Sequence, residues 1–186
     1  NSDMSKFKGK AIAQAIGTDY FTLLELVPKR GVDLEIQDTV YIGKGKRDQI
    51  YKVLGKLDYE NLTATSRIEL EYSIREIVKN NEEKFVEFFN TAGAISTRLH
   101  KLELIPGIGK KYMWEIVEAR KEKPFESFED ITTRIPSLNN PAEMIVNRVK
   151  QELDTTTAKK GKKKYYLFTP IPKTQKKHRN NRNQRK

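Results

Sequence analysis

The stretch Leu104-Ile105-Pro106-Gly107-Ile108-Gly109-Lys110-Lys111 separates two segments with helical periodicity. The segment before it has apolar residues at three- and four-residue spacing, which predicts a helix with one buried face: Ile95, Leu99 and Leu102. The segment after it begins a second helix that runs to about Arg120, with the apolar residues Met113, Ile116 and Val117. Because Pro106 removes a backbone donor and glycine permits positive φ, the stretch itself predicts a tight turn.

A turn of this kind directs backbone N–H groups outward at the start of the second helix, where they suit a phosphate oxygen. The pattern resembles the helix-hairpin-helix motif of sequence-independent nucleic-acid binders. The candidate binding residues are Pro106, Gly107, Ile108, Gly109, Lys110 and Lys111. The alternative is a Pro-Gly turn between two core helices that binds nothing.

A related segment follows thirty residues later, as Ile135-Pro136-Ser137-Leu138-Asn139. Asn140 is expected to cap a helix that begins at Pro141 and turns Ile145, Val149 and Leu153 inward. Ser127 is expected to cap a short helix before it. Since Ser137 replaces a glycine and only Asn139 retains tolerance for positive φ, this second unit is predicted to be structural. Two such units would pair into one compact four-helix domain.

Charge is distributed unevenly along the chain. The net charge is +11, yet residues 155–186 hold 12 Lys and Arg and no acidic residue, which leaves −1 for residues 1–154. Such a tail is typical of electrostatic arms on nucleic acid, because neutralised phosphates release counterions. The alternative is a solubilising or membrane-surface tail. The candidate tail residues are Lys162, Lys163, Lys164, Tyr165, Tyr166, Lys173, Lys176, Lys177, Arg179, Arg182 and Arg185.

An apolar island, Tyr165 to Pro172, interrupts this basic tail. It could stack on unpaired bases, dock on the body of the protein or another protein, or add a strand to the N-terminal sheet. The sequence leaves these three arrangements open.

The N-terminal part reads as a small, curved β domain. Strands are expected at residues 19–27, 39–42 and 49–57, forming a sheet or barrel of the OB or SH3-like kind. Before them, residues 1–18 read as a flexible lead-in. The basic turn Gly43 to Asp48 lacks the spacing of a phosphate loop, so Lys44, Lys46 and Arg47 are expected either to contact a nucleic-acid backbone or to form a solvated turn.

Residues 61–93 are predicted to be helical. One apolar stripe follows Thr65 or Ser66 as the capping residue, and the aromatic stripe that ends near Gly93 is expected in the core. The two stripes are Leu70, Ile74, Ile77 and Val78, and then Phe85, Phe88, Phe89 and Ala92.

No constellation for catalysis is visible. The chain has no cysteine, and its histidines, His100 and His178, have no metal-ligand partner at helical spacing. Asp33, Glu35 and Asp38 match no nuclease motif. We therefore expect no enzyme activity, no cofactor, no metal and no small-molecule substrate. With no apolar run of bilayer length, we also expect a cytoplasmic protein without a membrane partner.

The segment Tyr41 to Asp48, the Leu62-Thr63 pair and the Ile-Pro-Gly-Ile-Gly turn together resemble the archaeal family DUF655, over about residues 19–153. The resemblance implies an OB-like N-terminal part and a helix-hairpin-helix C-terminal part. It also implies an RNA partner connected with ribosomes or their maturation, and it supplies no catalytic residues.

The sequence thus predicts an α+β protein: a lead-in (1–18), an OB-like domain (19–60), connecting helices (61–93), a domain of tandem helix-hairpin-helix units (94–154) and a basic tail (155–186). We expect a non-enzymatic RNA-binding protein, associated with ribosomal RNA and neighbouring ribosomal proteins. The alternatives are a DNA-binding repair or recombination accessory protein and a protein–protein adaptor.

Overall fold

The computed structural model describes residues 11–154 and 164–171, which form a mixed α+β fold. The strands are β1 (Ala13–Ile16), β2 (Leu23–Pro28), β3 (Ile50–Lys56), β4 (Ala94–Ser96) and β5 (Leu99–His100). The helices are α1 (Ala64–Asn80), α2 (Glu82–Thr91), α3 (Lys110–Glu122), α4 (Phe128–Arg134) and α5 (Pro141–Leu153). Two short 3₁₀ turns, Tyr59–Asn61 and Leu102–Leu104, precede α1 and α3. The predicted fold class is confirmed at this level.

The N-terminal sheet is antiparallel, has the order β1-β2-β3, and is not a closed barrel. Strand β1 lies within the segment predicted as a flexible lead-in. The strand predicted from Asp19 begins only at Leu23, because Gly17 and Thr22 close a hairpin loop in which Phe21 has a φ of +51°. Register shifts on β2, at Glu25/Leu26 and at Val27/Pro28, mark irregular pairing with β3.

The strand predicted at residues 39–42 is wrong, whereas the strand predicted at 49–57 is confirmed as β3. Residues 39–42 are irregular and pair with none of the three strands of the sheet in the described part of the chain. Tyr41 instead turns its hydroxyl toward the following turn, where it accepts a hydrogen bond from the Gly45 amide at 3.2 Å.

One continuous hydrophobic core joins the sheet to the helices, from Phe21 and Leu23 to Val149. Both predicted helical stripes contribute to it, and the aromatic residues of α2 are core residues as expected. The predicted cap of α1 is shifted. Thr63 caps α1 by accepting from the Ser66 amide at 3.1 Å, in place of Thr65 or Ser66.

Helix α2 ends at Thr91 without a left-handed glycine, so the expectation for Gly93 is wrong. The Arg120 guanidinium supplies the termination instead. It donates to the carbonyls of Phe89 and Ala92, each at 2.8 Å. A cation at a helix C-terminus also opposes the helix dipole favourably.

The helix predicted around Ile95, Leu99 and Leu102 is also wrong. Residues 94–100 form the two-stranded β4–β5 hairpin, which leads directly into the 3₁₀ turn Leu102–Leu104. The second predicted helix is confirmed as α3. The C-terminal part therefore contains three α-helices rather than four, and α5 also packs along α1.

Candidate nucleic-acid interface

We call residues 105–109 the first hairpin and residues 135–140 the second hairpin. In the first, the Ile108 amide donates to the Ile105 carbonyl at 3.0 Å, and both side chains are buried. Gly107 has a φ of +91°, which requires glycine in practice. Gly109 has a φ of −86°, so of the two glycines that permit a positive φ only Gly107 adopts one. The two apolar residues anchor the turn from beneath and leave Gly107 and Gly109 exposed.

Helix α3 begins directly after this hairpin with no side-chain cap from any described residue. The capping residue is Gly109, and the first turn contains Lys110 and Lys111 and no acidic side chain. The first amides of a helix have no partner within it, and the helix dipole makes this end positive. Both lysines are exposed. Lys111 makes a long contact of 3.8 Å with Glu115, and its Nζ lies 5.8 Å from the centroid of the Tyr112 ring. This end of α3 has the chemistry of an anion site.

The second hairpin repeats the turn but not the open helix end. Its Leu138 amide donates to the Ile135 carbonyl at 2.9 Å. Asn140, with a φ of +47°, then caps α5 by accepting from the Glu143 amide at 3.1 Å. The predicted cap at Asn140 is thus confirmed, and the positive φ of this turn is at Asn140 rather than at Asn139, which could tolerate one.

Glu143 places a negative charge at the same helix end. Its carboxylate lies in the first turn of α5 and accepts two hydrogen bonds from Arg75 of α1, each at 3.0 Å. Arg75 also bonds Glu71, and hydrogen bonds from Lys150 and then Arg75 lower the pKa of Glu71 below its ordinary value. The positive end of α5 is therefore satisfied by side chains of the protein itself.

The two hairpins contact each other's helices. A Cβ added at Gly107 would lie 3.2 Å from the terminal methyl carbon of Met144 in α5. The Ser137 hydroxyl of the second hairpin lies 3.4 Å from a carboxylate oxygen of Glu115 in α3. The two units therefore pack as an approximately reciprocal pair, with both turns at the same contact.

The basic turn at 43–48 is folded around the Tyr41 side chain. A Cβ at Gly43 would lie 2.2 Å from the Tyr41 hydroxyl oxygen, so the Tyr41 side chain occupies the space that a larger residue at this position would need. Arg47 is half-buried and donates to the Gly43 carbonyl at 3.0 Å. Lys44 and Lys46 are exposed. Two of the three predicted cations of this turn therefore face solvent, while the third holds the turn in shape.

Residues 164–171, which include all of the apolar island except Pro172, dock on the body as irregular chain. We call the contact that holds them the carboxylate clip. The buried Glu152 carboxylate of α5 accepts hydrogen bonds from the amides of Leu167, Phe168 and Thr169 at 2.6, 3.0 and 2.9 Å. The Thr169 hydroxyl adds a further bond at 3.1 Å. Of the three arrangements that the sequence left open, docking on the body is the one observed.

Arg148 connects this clip to the first hairpin. Its Nε donates to Glu152 at 2.8 Å, and its other guanidinium nitrogens donate to the carbonyls of Leu104, at 3.0 Å, and Tyr165. Phe168 packs edge-on against Phe85 and Phe88, with ring centroids 5.5 and 5.0 Å apart. The island therefore begins beside the residue that leads into the first hairpin.

Lys164, Tyr165 and Tyr166, which were predicted to contact nucleic acid, are partly buried against the body of the protein. Lys164 donates to the Asp154 carbonyl at 2.9 Å, and burial lowers its pKa. Burial, followed by the charge of Glu152, raises the pKa of Tyr166 above its ordinary value. Tyr165 is half-buried. The remaining predicted tail residues lie outside the described residues: Lys162, Lys163, Lys173, Lys176, Lys177, Arg179, Arg182 and Arg185.

The sequence reading missed three residues. Arg148 and Glu152 occur four residues apart on the apolar face of α5, between Ile145, Val149 and Leu153, and charged residues on such a face signal a buried pair. Trp114, the one tryptophan of the chain, is exposed one turn into α3. The sequence could have indicated Trp114, because a lone tryptophan so close to the hairpin is unusual.

In the part of the chain that the structure describes, no group of three or more His, Asp or Glu side chains could hold a metal ion. None of the helices in residues 11–154 and 164–171 has the length and apolar character that a bilayer crossing requires.

Comparison with known proteins identifies a family and two relatives of this chain. A family model described as a protein of unknown function, DUF655, matches residues 1–170. The uncharacterized protein MJ0038 of Methanocaldococcus jannaschii is 49% identical over 157 residues, which is 84% of this chain and 70% of the relative. The crystal structure of Af1531 from Archaeoglobus fulgidus, a DUF655 protein, is similar with a TM-score of 0.77 and 46% identity, covering 87% of this chain and 86% of that one.

Proposed function

This chain belongs to the DUF655 family, and we propose that it binds the phosphate backbone of RNA without catalysing a reaction. The observation that carries the proposal is the start of α3, where Gly109 provides no side-chain cap and Lys110 and Lys111 stand in an acid-free first turn. At the second hairpin the same position is closed by Asn140 and Glu143. The first hairpin keeps an anion-binding helix end on the surface, and a phosphate oxygen is the anion that fits it.

The other basic elements add backbone contacts. The exposed Lys44 and Lys46 offer a second contact, and the tail supplies 12 cations over residues 155–186. The carboxylate clip anchors the chain between the two basic segments of the tail, beside the first hairpin. Contacts with phosphates position a protein but do not read bases, so RNA shape and protein neighbours would provide the selectivity.

We propose ribosomal RNA as the partner, with the protein acting as a ribosomal or ribosome-assembly component in the cytoplasm. A near-neutral body with a strongly basic tail suits a densely packed polyanion, in which the tail neutralises charge between RNA segments. Co-sedimentation with ribosomal particles at low and high salt tests this part. Absence from ribosomal fractions at low salt would contradict it.

The hairpin contact itself is tested by Gly109→Asp. The space around the Gly109 Cβ position is open and its φ is negative, so a side chain fits there. Aspartate is a good capping residue and would occupy the α3 amides while adding negative charge. We expect RNA affinity to fall about tenfold or more, the equivalent of one lost charge-assisted hydrogen bond. Unfolding stability should stay equal or rise slightly.

Gly109→Ser is the matched control, because it adds a neutral cap of similar size. It should lose less affinity than the aspartate variant. Equal RNA binding by all three proteins at matched salt would contradict the proposal and favour the adaptor hypothesis. Competition between structured RNA and duplex DNA in the same assay addresses the DNA-binding hypothesis, which a preference for the duplex would support.

A further inference from the structure

Trp114 is the side chain of α3 that the fold does not explain. It is 58% exposed, although tryptophan is mostly buried in folded proteins because of its large apolar area. Its neighbours at Met113 and Ile116 are buried in the core. The residue therefore lies on the outer face of the helix, where its ring contributes little to the core.

The position of Trp114 relates it directly to the anion site. It follows Lys110 by four residues and Lys111 by three, so the three side chains share one face of the helix. One helical turn, about 5–6 Å along the axis, separates the ring from the exposed amides at the start of α3. A nucleotide with its phosphate on those amides can therefore bring its base to the ring.

The second unit shows that an apolar residue at this position can be used differently. Met144 lies thirty residues after Trp114, and it packs over Gly107, where it closes the contact between the two units. Trp114 keeps most of its side chain in solvent instead. The pair of units is thus asymmetric at this position as well as at the helix caps.

We infer that Trp114 is a stacking platform for an unpaired base of the RNA strand whose phosphate is held at the start of α3. This inference rests on the proposed function and adds a substrate class: RNA with a single-stranded segment or a bulge. Bases within a duplex are stacked on each other and cannot reach the ring, whereas unpaired bases stack readily on tryptophan.

The charges around Trp114 favour a nucleotide over an apolar protein surface. Its exposed neighbours along the helix are Lys110, Lys111, Glu118 and Lys121. Glu118 and Lys121 pair with each other at 2.7 Å, and Lys111 makes the longer contact of 3.8 Å with Glu115. The excess positive charge of this face therefore lies at the hairpin end, at Lys110 and Lys111. The ring therefore lies beside positive charge at the end where the phosphate would bind.

Because Trp114 is the only tryptophan, its fluorescence reports directly on this position. The full chain would be titrated with a single-stranded oligoribonucleotide and with a perfect RNA duplex at the same salt. We expect the single strand to quench the emission and the duplex to leave it nearly unchanged. Affinity would be measured in parallel by the anisotropy of labelled RNA.

The variant Trp114→Ala should lose about tenfold in affinity for the single strand and little for the duplex, as expected for one stacked base. Trp114→Phe should retain most of the affinity. Tyr72→Ala is the matched control, since Tyr72 is exposed to a similar degree, 55%, but lies on α1. It should bind both RNAs as the unaltered chain does.

Four results would overturn the inference. Binding that depends on Gly109 but neither quenches Trp114 nor responds to Trp114→Ala would leave the proposed function in place without the platform. An equal loss with Tyr72→Ala would show a general effect of surface aromatics. Loss of a protein partner by Trp114→Ala, with RNA affinity unchanged, would assign the ring to a protein interface. Absence of RNA binding altogether would overturn both proposals.

Discussion

The two hairpins share their buried parts and differ at the helix end that each one presents. Ile105 and Ile108 in the first, and Ile135 and Leu138 in the second, are buried beneath the same kind of turn. After the first turn, α3 starts with glycine and two lysines; after the second, α5 starts with a capping asparagine and an acidic residue. The turn is therefore a structural device, and the residues immediately after it decide whether the helix end is available to a ligand.

The difference between the two hairpins extends along the helices that follow them, α3 and α5. Helix α5 directs its charged residues to other parts of the chain: Glu143 to Arg75, Lys150 to Glu71, and Glu152 to the carboxylate clip. In α3 the charged residues of the first turn and Trp114 face outward. One unit thus holds the molecule together, and we propose that the other contacts RNA. If this is correct, variants in α5 change stability and variants at the start of α3 change affinity.

The largest effect on stability is expected at the carboxylate clip. Glu152→Ala removes the acceptor for three amides and one hydroxyl, and it leaves Arg148 without its carboxylate. We expect a loss of about 3–5 kcal/mol in the free energy of unfolding, typical of breaking a buried charge pair. Urea denaturation followed by circular dichroism measures it.

Gln151→Ala, at the adjacent exposed position of α5, is the control and should change stability by less than about 0.5 kcal/mol. Limited proteolysis should also cleave the Glu152→Ala chain more rapidly within residues 164–171, because the island loses its anchor. A Glu152→Ala chain as stable as the unaltered one would show that the clip is not a stabilising contact.

A smaller loss of stability is expected when the cap of α5 is removed. Asn140→Ala removes the hydrogen bond to the Glu143 amide and places alanine at a φ of +47°. We expect a loss of about 2 kcal/mol, of which the cap contributes about 1 and the left-handed backbone about 1. RNA affinity, measured where the protein remains folded, should not change.

Asn140→Gly separates the two contributions, since glycine accepts the left-handed backbone and replaces a cap at a cost of only a few tenths of a kcal/mol. A fall in RNA affinity with Asn140→Ala as large as that expected for Gly109→Asp would contradict the division between the two units.

The second unit was the more predictable one from sequence, and the reason is local chemistry. Asn140-Pro141 is a helix start whatever surrounds it, and Ile145 and Val149 are buried as their spacing predicts. Ser127 caps α4 as expected, by accepting from the Asp130 amide at 3.0 Å. Caps and periodicity act within a few residues, so a single sequence contains the information.

The segment leading into the first hairpin was not predictable in this way. Ile95, Leu99 and Leu102 have helical spacing, yet the chain forms a β-hairpin whose end is held by a bond from the Lys101 amide to the Gly93 carbonyl at 3.0 Å. The carboxylate clip joins residues 15 to 17 positions apart across an irregular segment. Contacts of this kind depend on the packed structure, and neither periodicity nor capping rules contain them.

The smallest expected effect is on the pH dependence of stability, and it concerns the segments that precede the two hairpins. The first hairpin follows His100, whose Nδ1 accepts from the Leu102 amide at 3.1 Å and whose own amide donates to Glu103 at 2.8 Å. The second hairpin follows α4, which has no histidine. Burial lowers the pKa of His100, with a further contribution from the charge of Arg120; Lys101 also lowers it and Glu103 raises it.

Because the folded state then binds a proton less readily than the unfolded chain, His100 should make stability fall as the pH drops from about 6.5, the ordinary histidine pKa, through the lower folded value. Above that window it should contribute no pH dependence. His100→Asn keeps a side-chain acceptor for the Leu102 amide but cannot titrate, so its stability should fall less over the same range. Parallel urea titrations of the two proteins across the window measure the difference, which cancels the carboxylates that both share. Curves that run parallel would show that His100 contributes no pH dependence to stability, and this part of the comparison would fail.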